Sequence, residues 1–149
     1  MPSSALGPVS VGLFTLLNVA SLKGAYPGTG AGCVGGVKDY VPQAPVYPFL
    51  FFEVSERDLS SLGDGPSVKR IQVRLHVFSQ YLGAAEAQRI TAEAIRLVQF
   101  AEPTATGWTI PKVGRPDDVV MIELSELNGV ICRELVTIWE DFFACEVAA

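Results

Sequence analysis

Three prolines in seven residues, Pro42, Pro45 and Pro48, stand directly before the run Phe49-Leu50-Phe51-Phe52-Glu53. Each proline fixes its own φ, removes a backbone donor and pushes the preceding residue into an extended conformation, so no helix forms across this tract. The aromatic run behind it suits a strand packed on both faces. A strand therefore enters the fold at Phe49 from an extended lead-in. Everything downstream is organised around it.

The second strand is the clearest signal in the chain. Between Val68 and Ser79, Ile71, Val73, Leu75 and Val77 alternate with Arg70, Gln72, Arg74 and His76, so one face is core and the other polar. The first strand covers Phe49 to Arg57, and a turn-rich loop with Gly63-Asp64-Gly65-Pro66 links the two. Gly83 to Ala101 reads as the main helix. Its apolar stripe is Ala87, Ile90, Ala94, Leu97, Val98 and Ala101, opposite a laddered face of Glu86, Arg89, Glu93 and Arg96. A third strand spans Val119 to Leu127, and Asn128-Gly129 is a strong hairpin signal. The fourth strand lies within Val130 to Glu146, with a bend expected near Arg133-Glu134.

Upstream, residues 1–8 read as a flexible lead. Val9, Leu13, Leu16, Leu17 and Ala20 fall on one helical face, with Ser10 as N-cap and Gly24 as the stop. Residues 24–36 form a long glycine-rich loop, and Val37 to Val41 a short extended piece. The expected fold is α+β: an antiparallel or mixed four-stranded sheet with two helices packed on one face, in a single domain over residues 9–147.

At 149 residues the chain suffices for one domain with a real core. It is 49% hydrophobic but only 18% charged, which favours burial of surface against partners. A formal net charge of −5 argues against a general nucleic-acid surface. The odd count of Cys33, Cys132 and Cys145, without metal-like spacing, points to buried reduced thiols. The apolar stretch Val9 to Leu22 has no basic residue before it and is too short to span a bilayer, so the expectation is a soluble, intracellular chain without a membrane partner.

No motif selects a chemistry. Gly30-Ala31-Gly32-Cys33-Val34-Gly35 fits G-x-G-x-x-G, but a dinucleotide site needs a strand before the glycines and a helix after them. Here a helix precedes and an extended tract follows. His76, the only histidine, has no neighbouring nucleophile or second ligand in sequence, so it reads as a partly exposed structural residue. The acidic residues are scattered over separate elements. No catalytic residue, cofactor or metal is expected.

Contact surfaces are the remaining candidates. The stripe Arg70, Arg74 and His76 either meets phosphates or acidic groups of a partner or is an ordinary solvated strand face. In Leu135 to Phe143 large apolar groups occupy both faces of the strand, where a one-sided strand should alternate. Either a second layer of the chain or another subunit covers the far face. With two helices to distribute, a partner is favoured, and Trp139, Phe142, Phe143, Arg70 and Arg74 are the interface candidates, Trp139 as the anchor.

The helix Leu13 to Leu22, the tract Tyr40 to Pro48 leading into Phe49 to Glu53, the strand Val68 to Phe78 running into the helix Ala84 to Val98, and the aromatic strand Arg133 to Phe143 together resemble the tail-terminator (tail-completion, or neck) proteins of long-tailed bacteriophages and related gene-transfer particles. The resemblance spans Leu13 to Phe143; the glycine-rich loop is longer than the family pattern and inherits no role. It implies a virion protein without catalytic residues, forming a ring, typically hexameric, that caps the head-proximal end of the tail tube. The implied partners are other copies of the chain, the tail tube protein and the head-tail connector or stopper protein. DNA would pass through the lumen without specific binding, and assembly would take place in the host cytoplasm. The alternatives are another neck or head-completion component, or a cellular α+β module binding a ligand or peptide on its sheet.

Overall fold

The computed structural model describes residues 4–19, 22, 33, 35–60, 68–80, 85–100, 103–111, 113–127 and 130–147. Most of the glycine-rich loop, the turn Gly63 to Pro66, the proposed helix stop at Gly24 and the Asn128-Gly129 turn lie outside them. The elements in order are α1 (Leu6–Leu17), β1 (Val37–Lys38), β2 (Phe49–Ser60), β3 (Val68–Ser79), α2 (Ala85–Phe100), β4 (Trp108–Thr109), β5 (Asp118–Leu127) and β6 (Val130–Glu146).

The fold is α+β with a mixed sheet. Its order is β1-β2-β3-β6-β4, with β5 also paired to β6. β1 runs parallel to β2, and the other pairings are antiparallel. Among the described residues six strands stand where four were expected, because β1 and β4 are two-residue strands, too short for any periodicity to reveal.

Both helices cover one face. Val9, Leu13 and Leu17 of α1 and Ala87, Ile90, Ala94, Leu97 and Val98 of α2 join a single core with Leu50, Phe52, Ile71, Val73, Leu75, Val77, Leu135, Trp139 and Phe142. The alternation in β3 thus places Ile71, Val73, Leu75 and Val77 under α2, as expected from the sequence. Ser79, fully buried at the end of β3, donates its hydroxyl proton to the Glu86 carboxylate at 2.6 Å and ties the strand to the first turn of α2.

The start of α1 differs from the sequence expectation. The helix begins at Leu6, with Ala5 fully buried, rather than after a lead ending at residue 8. Pro8 is tolerated because the first turn has no intrahelical acceptor for its missing N–H. The cap is not Ser10. Instead the Ala5 N–H donates to the Glu56 carboxylate of β2 at 2.9 Å, placing an acidic group where the helix dipole favours it. Farther along, Gly12 lets α1 lie directly on the segment after α2: a Cβ there would stand 1.8 Å from the Thr104 carbonyl oxygen.

β6 explains its own two-sided apolar pattern. Val73 pairs with Trp139 and Ile71 with Phe142, so Gln72 alone opposes Glu140 and Asp141. This is a β-bulge. It resets the alternation, and Trp139 and Phe142, three residues apart, both point into the core at 2% and 1% exposure. Their rings meet edge to face with centroids 6.1 Å apart. The bulge is held at its backbone: Glu140 N–H donates to the Asp117 carboxylate at 2.7 Å, and the Glu140 carbonyl accepts from Arg70 Nε at 3.1 Å.

Candidate functional site

The sheet face turned away from the helices carries the polar half of the alternation. Along the β2–β3 ladder its opposed pairs are Phe49 with Phe78, Phe51 with His76, Glu53 with Arg74 and Ser55 with Gln72. One end is apolar: Phe49, Phe78 and Cys132 are buried together, and the first two rings stack at 5.0 Å. Toward the bulge the face becomes a polar hollow of about 380 Å³ lined by Ser55, Glu56, Arg70, Gln72 and Glu140. A second hollow of about 250 Å³ lies against Glu53, Ser55, Gln72 and Arg74.

His76 links three strands across this face. Its Nδ1 lies 2.7 Å from the Glu134 carboxylate of β6, and its Nε2 lies 2.8 Å from that of Glu53 on β2. Two carboxylates can only accept, so this arrangement suits the imidazolium, which donates from both nitrogens. Burial pulls the imidazole pKa down, but the hydrogen bonds and charges of Glu134 and Glu53 outweigh it, raising it above the ordinary 6.5. Phe51 stacks on the ring at 5.2 Å. With both nitrogens engaged, the ring has no lone pair for proton abstraction, and its geometry is that of a clamp.

The sign of its contribution follows. A raised folded-state pKa adds stability that is fully present below the unfolded value near 6.5 and is lost as pH rises through the folded value. Unfolding midpoints in urea should therefore fall between pH 6 and pH 9, and His76→Gln should flatten that slope. A wild-type midpoint that stays level or rises across this window would show that the imidazole is not held as a cation.

The other sequence candidates separate in the fold. Trp139 is not an exposed anchor: its ring fills the core, and its Nε1–H donates to the Gly114 carbonyl at 3.1 Å. Phe142 is buried beside it. The sequence offers both as subunit-interface candidates; within the subunit the bulge turns them inward and they are buried in its core. Phe143, Arg70 and Arg74 lie on the open face, Phe143 at 38% exposure.

Of the glycine pattern only Cys33 and Gly35 are described. The Gly35 amide donates to the Pro48 carbonyl at 2.8 Å, and a Cβ there would stand 1.7 Å from the Val46 carbonyl oxygen. That glycine serves a backbone crossing into β1, a strand, and its amide is already used. Burial pushes the Cys33 thiol up to about 12, so it stays protonated and unreactive at neutral pH. Cys33, Cys132 and Cys145 are free thiols. Among the described residues no cluster of His, Cys, Asp and Glu could hold a metal ion, and no helix is long and apolar enough to cross a membrane.

Sequence reasoning missed the two sheet edges. Exposed aliphatic groups gather at β5 and the start of β6, in Val119, Val120 and Ile131, and exposed aromatic groups beside β1, in Phe14 and Tyr40. Only tertiary pairing, which among the described residues puts β1 at one edge and β5 beside β4 at the other, could have shown this.

Among the described residues these surfaces suit contact: an α+β subunit whose sheet has its far face and its edges uncovered. The family described as Tail completion protein gp17 matches residues 27–123, well over half of the chain, and the chain belongs to that family. It is thus a structural protein of phage-type tails. Among solved structures, a chain of the "Virion of native gene transfer agent (GTA) particle" matches with a TM-score of 0.55 at 17% identity, covering 99% of this chain and 100% of that one. At that identity the likeness concerns the fold. Comparison with curated proteins finds no match.

Proposed function

We propose that the chain assembles with copies of itself into a ring, of the hexameric kind, that caps the head-proximal end of a tail tube and joins it to the head connector. The observation that carries this reading is membership of the tail completion family over residues 27–123. The fold supports it through what it leaves uncovered: an open polar sheet face and apolar groups at both sheet edges. The chain acts by contact and catalyses nothing. Its net charge of −5 also suits a lumen wall, since acidic protein repels a passing DNA duplex.

The test is location. Gold-labelled protein in particles should mark the head-proximal end of each tail, and tails assembled without it should lack a joined head. Label spread along the tube, confined to the head shell, or absent from particles would reject the reading in favour of another virion component.

A further inference from the structure

Glu53 and Arg74 stand directly opposite each other on the open face of the β2–β3 ladder. Unlike charges in that position ordinarily pair, because facing side chains start only about 5 Å apart. Here they do not. The Glu53 carboxylate turns to the neighbouring rung of the ladder and lies 2.8 Å from His76 Nε2. Arg74 is exposed, and among the described residues no hydrogen bond or ion pair engages it. Glu53 and Arg74 both line the hollow of about 250 Å³, which leaves the carboxylate room to swing.

What holds Glu53 on the imidazole is a proton. The imidazolium donates from Nε2 to Glu53 and from Nδ1 to Glu134, 2.7 Å away. A neutral ring keeps only one N–H, so one of the two carboxylates then faces a lone pair. They are not equivalent, since the Glu134 side chain is 12% exposed and that of Glu53 is 52% exposed. A carboxylate shut away from water without a donor is the costlier one, so the remaining N–H stays on Nδ1 and Glu53 is released. The ring does not follow it, because Phe51 and Phe78 stack on it with centroids 5.2 and 6.3 Å away.

The other titratable groups on this face leave Glu53 one destination. β6 contributes Glu134 and, beyond it, the buried Cys132 thiol beside the Tyr47 hydroxyl. β5 contributes Asp118, which shares the row of Arg74 but lies two strands away, past Ile138. Both helices pack on the opposite face. Among the described residues, Arg74 is the cation that directly faces a released Glu53.

We infer that Glu53 is a two-position carboxylate governed by His76: it rests on the charged ring, leaving the Arg74 guanidinium open, and crosses to Arg74 when the ring loses its proton. The open face presents a free cation in the first state and a neutralised pair in the second. The imidazole pKa stands above its ordinary 6.5, so the crossing comes at higher pH than a free histidine would set. Neither state depends on where the chain sits in a particle, so the device stands apart from the ring reading above.

The experiment uses the full-length chain and a double-mutant cycle of Glu53→Gln and Arg74→Gln, both at exposed positions. Urea unfolding is measured at low ionic strength, below and above the pH at which the His76 ring carbons titrate in nuclear magnetic resonance spectra. Below that pH the two substitutions should act independently. Above it they should be coupled by about three- to fivefold in the unfolding equilibrium constant, as for opposed unlike charges on a strand ladder. The Arg74 side-chain resonances should move with the His76 titration in the wild-type chain. In Glu53→Gln most of that movement should vanish while the ring still titrates. Coupling of equal size on both sides, or none above the titration, would overturn the inference. So would an Arg74 response unchanged by Glu53→Gln, or a ring that keeps its proton at every pH where the chain stays folded.

Discussion

Val73→Asp should abolish soluble folded protein, whereas Gln72→Asp, one residue away, should leave it intact. Val73 is fully buried, opposed by Val54 on β2 and Trp139 on β6 and covered by the helix layer. A carboxylate there would lose its hydration with no cation or donor to replace it. Leaving a charge buried and unpaired costs on the order of 3–5 kcal/mol, and a domain of this size is stable by only about 5–15 kcal/mol in all. Gln72 points to the opposite face, into the polar hollow with Arg70 and Glu140, where the new charge keeps its water. Surface changes of that kind usually stay within about 0.5 kcal/mol. The soluble fraction after expression and the far-ultraviolet circular dichroism of both variants decide the matter. Folded Val73→Asp would mean that the two faces of β3 are assigned the wrong way round.

Legibility in the sequence follows from how local each determinant is. β3 is readable because from Val68 to Val77 one face is dry and the other wet, so its burial alternates with period two until Phe78 and Ser79 are both buried at its end. The hairpin of β5 and β6 is readable for a similar reason: Leu127 pairs with Val130, the register that Asn128-Gly129 implies. The cap of α1 is not readable, since its carboxylate is Glu56, brought from β2 by tertiary structure. The clamp on His76 is also hidden, because Glu53 and Glu134 lie 23 and 58 residues away.

β6 misleads in an instructive way. A strand that carries apolar groups at both parities looks two-sided, which suggests a second covering layer. A single bulge achieves the same pattern with one covered face, since it moves Phe142 to the side of Trp139. The surplus apolar surface inferred from the sequence does exist, but it lies at the β5 edge and beside β1, in Val119, Val120, Ile131, Phe14 and Tyr40.

Trp139→Ala separates the two accounts of β6. If the indole anchored a neighbouring subunit, its loss would weaken assembly and leave the isolated chain as stable as before. In the fold it is among the largest fully enclosed side chains, stacked edge to face on Phe142, opposite Val73, with its N–H on the Gly114 carbonyl. Truncation would open a cavity in the core and remove the donor from that carbonyl. Substitutions of this type cost about 3–5 kcal/mol, which for a domain of this length lowers the melting temperature by roughly 10–15 °C. Phe143→Ser, on the open face, should move it by no more than a few degrees, because that ring is already 38% exposed. The measurement is the thermal midpoint of the purified subunits, before any assembly. A Trp139→Ala midpoint equal to wild type would return the indole to the surface. The expected fall would make any assembly defect of that variant a consequence of lost folding, so assembly must be tested with exposed residues that the fold does not need.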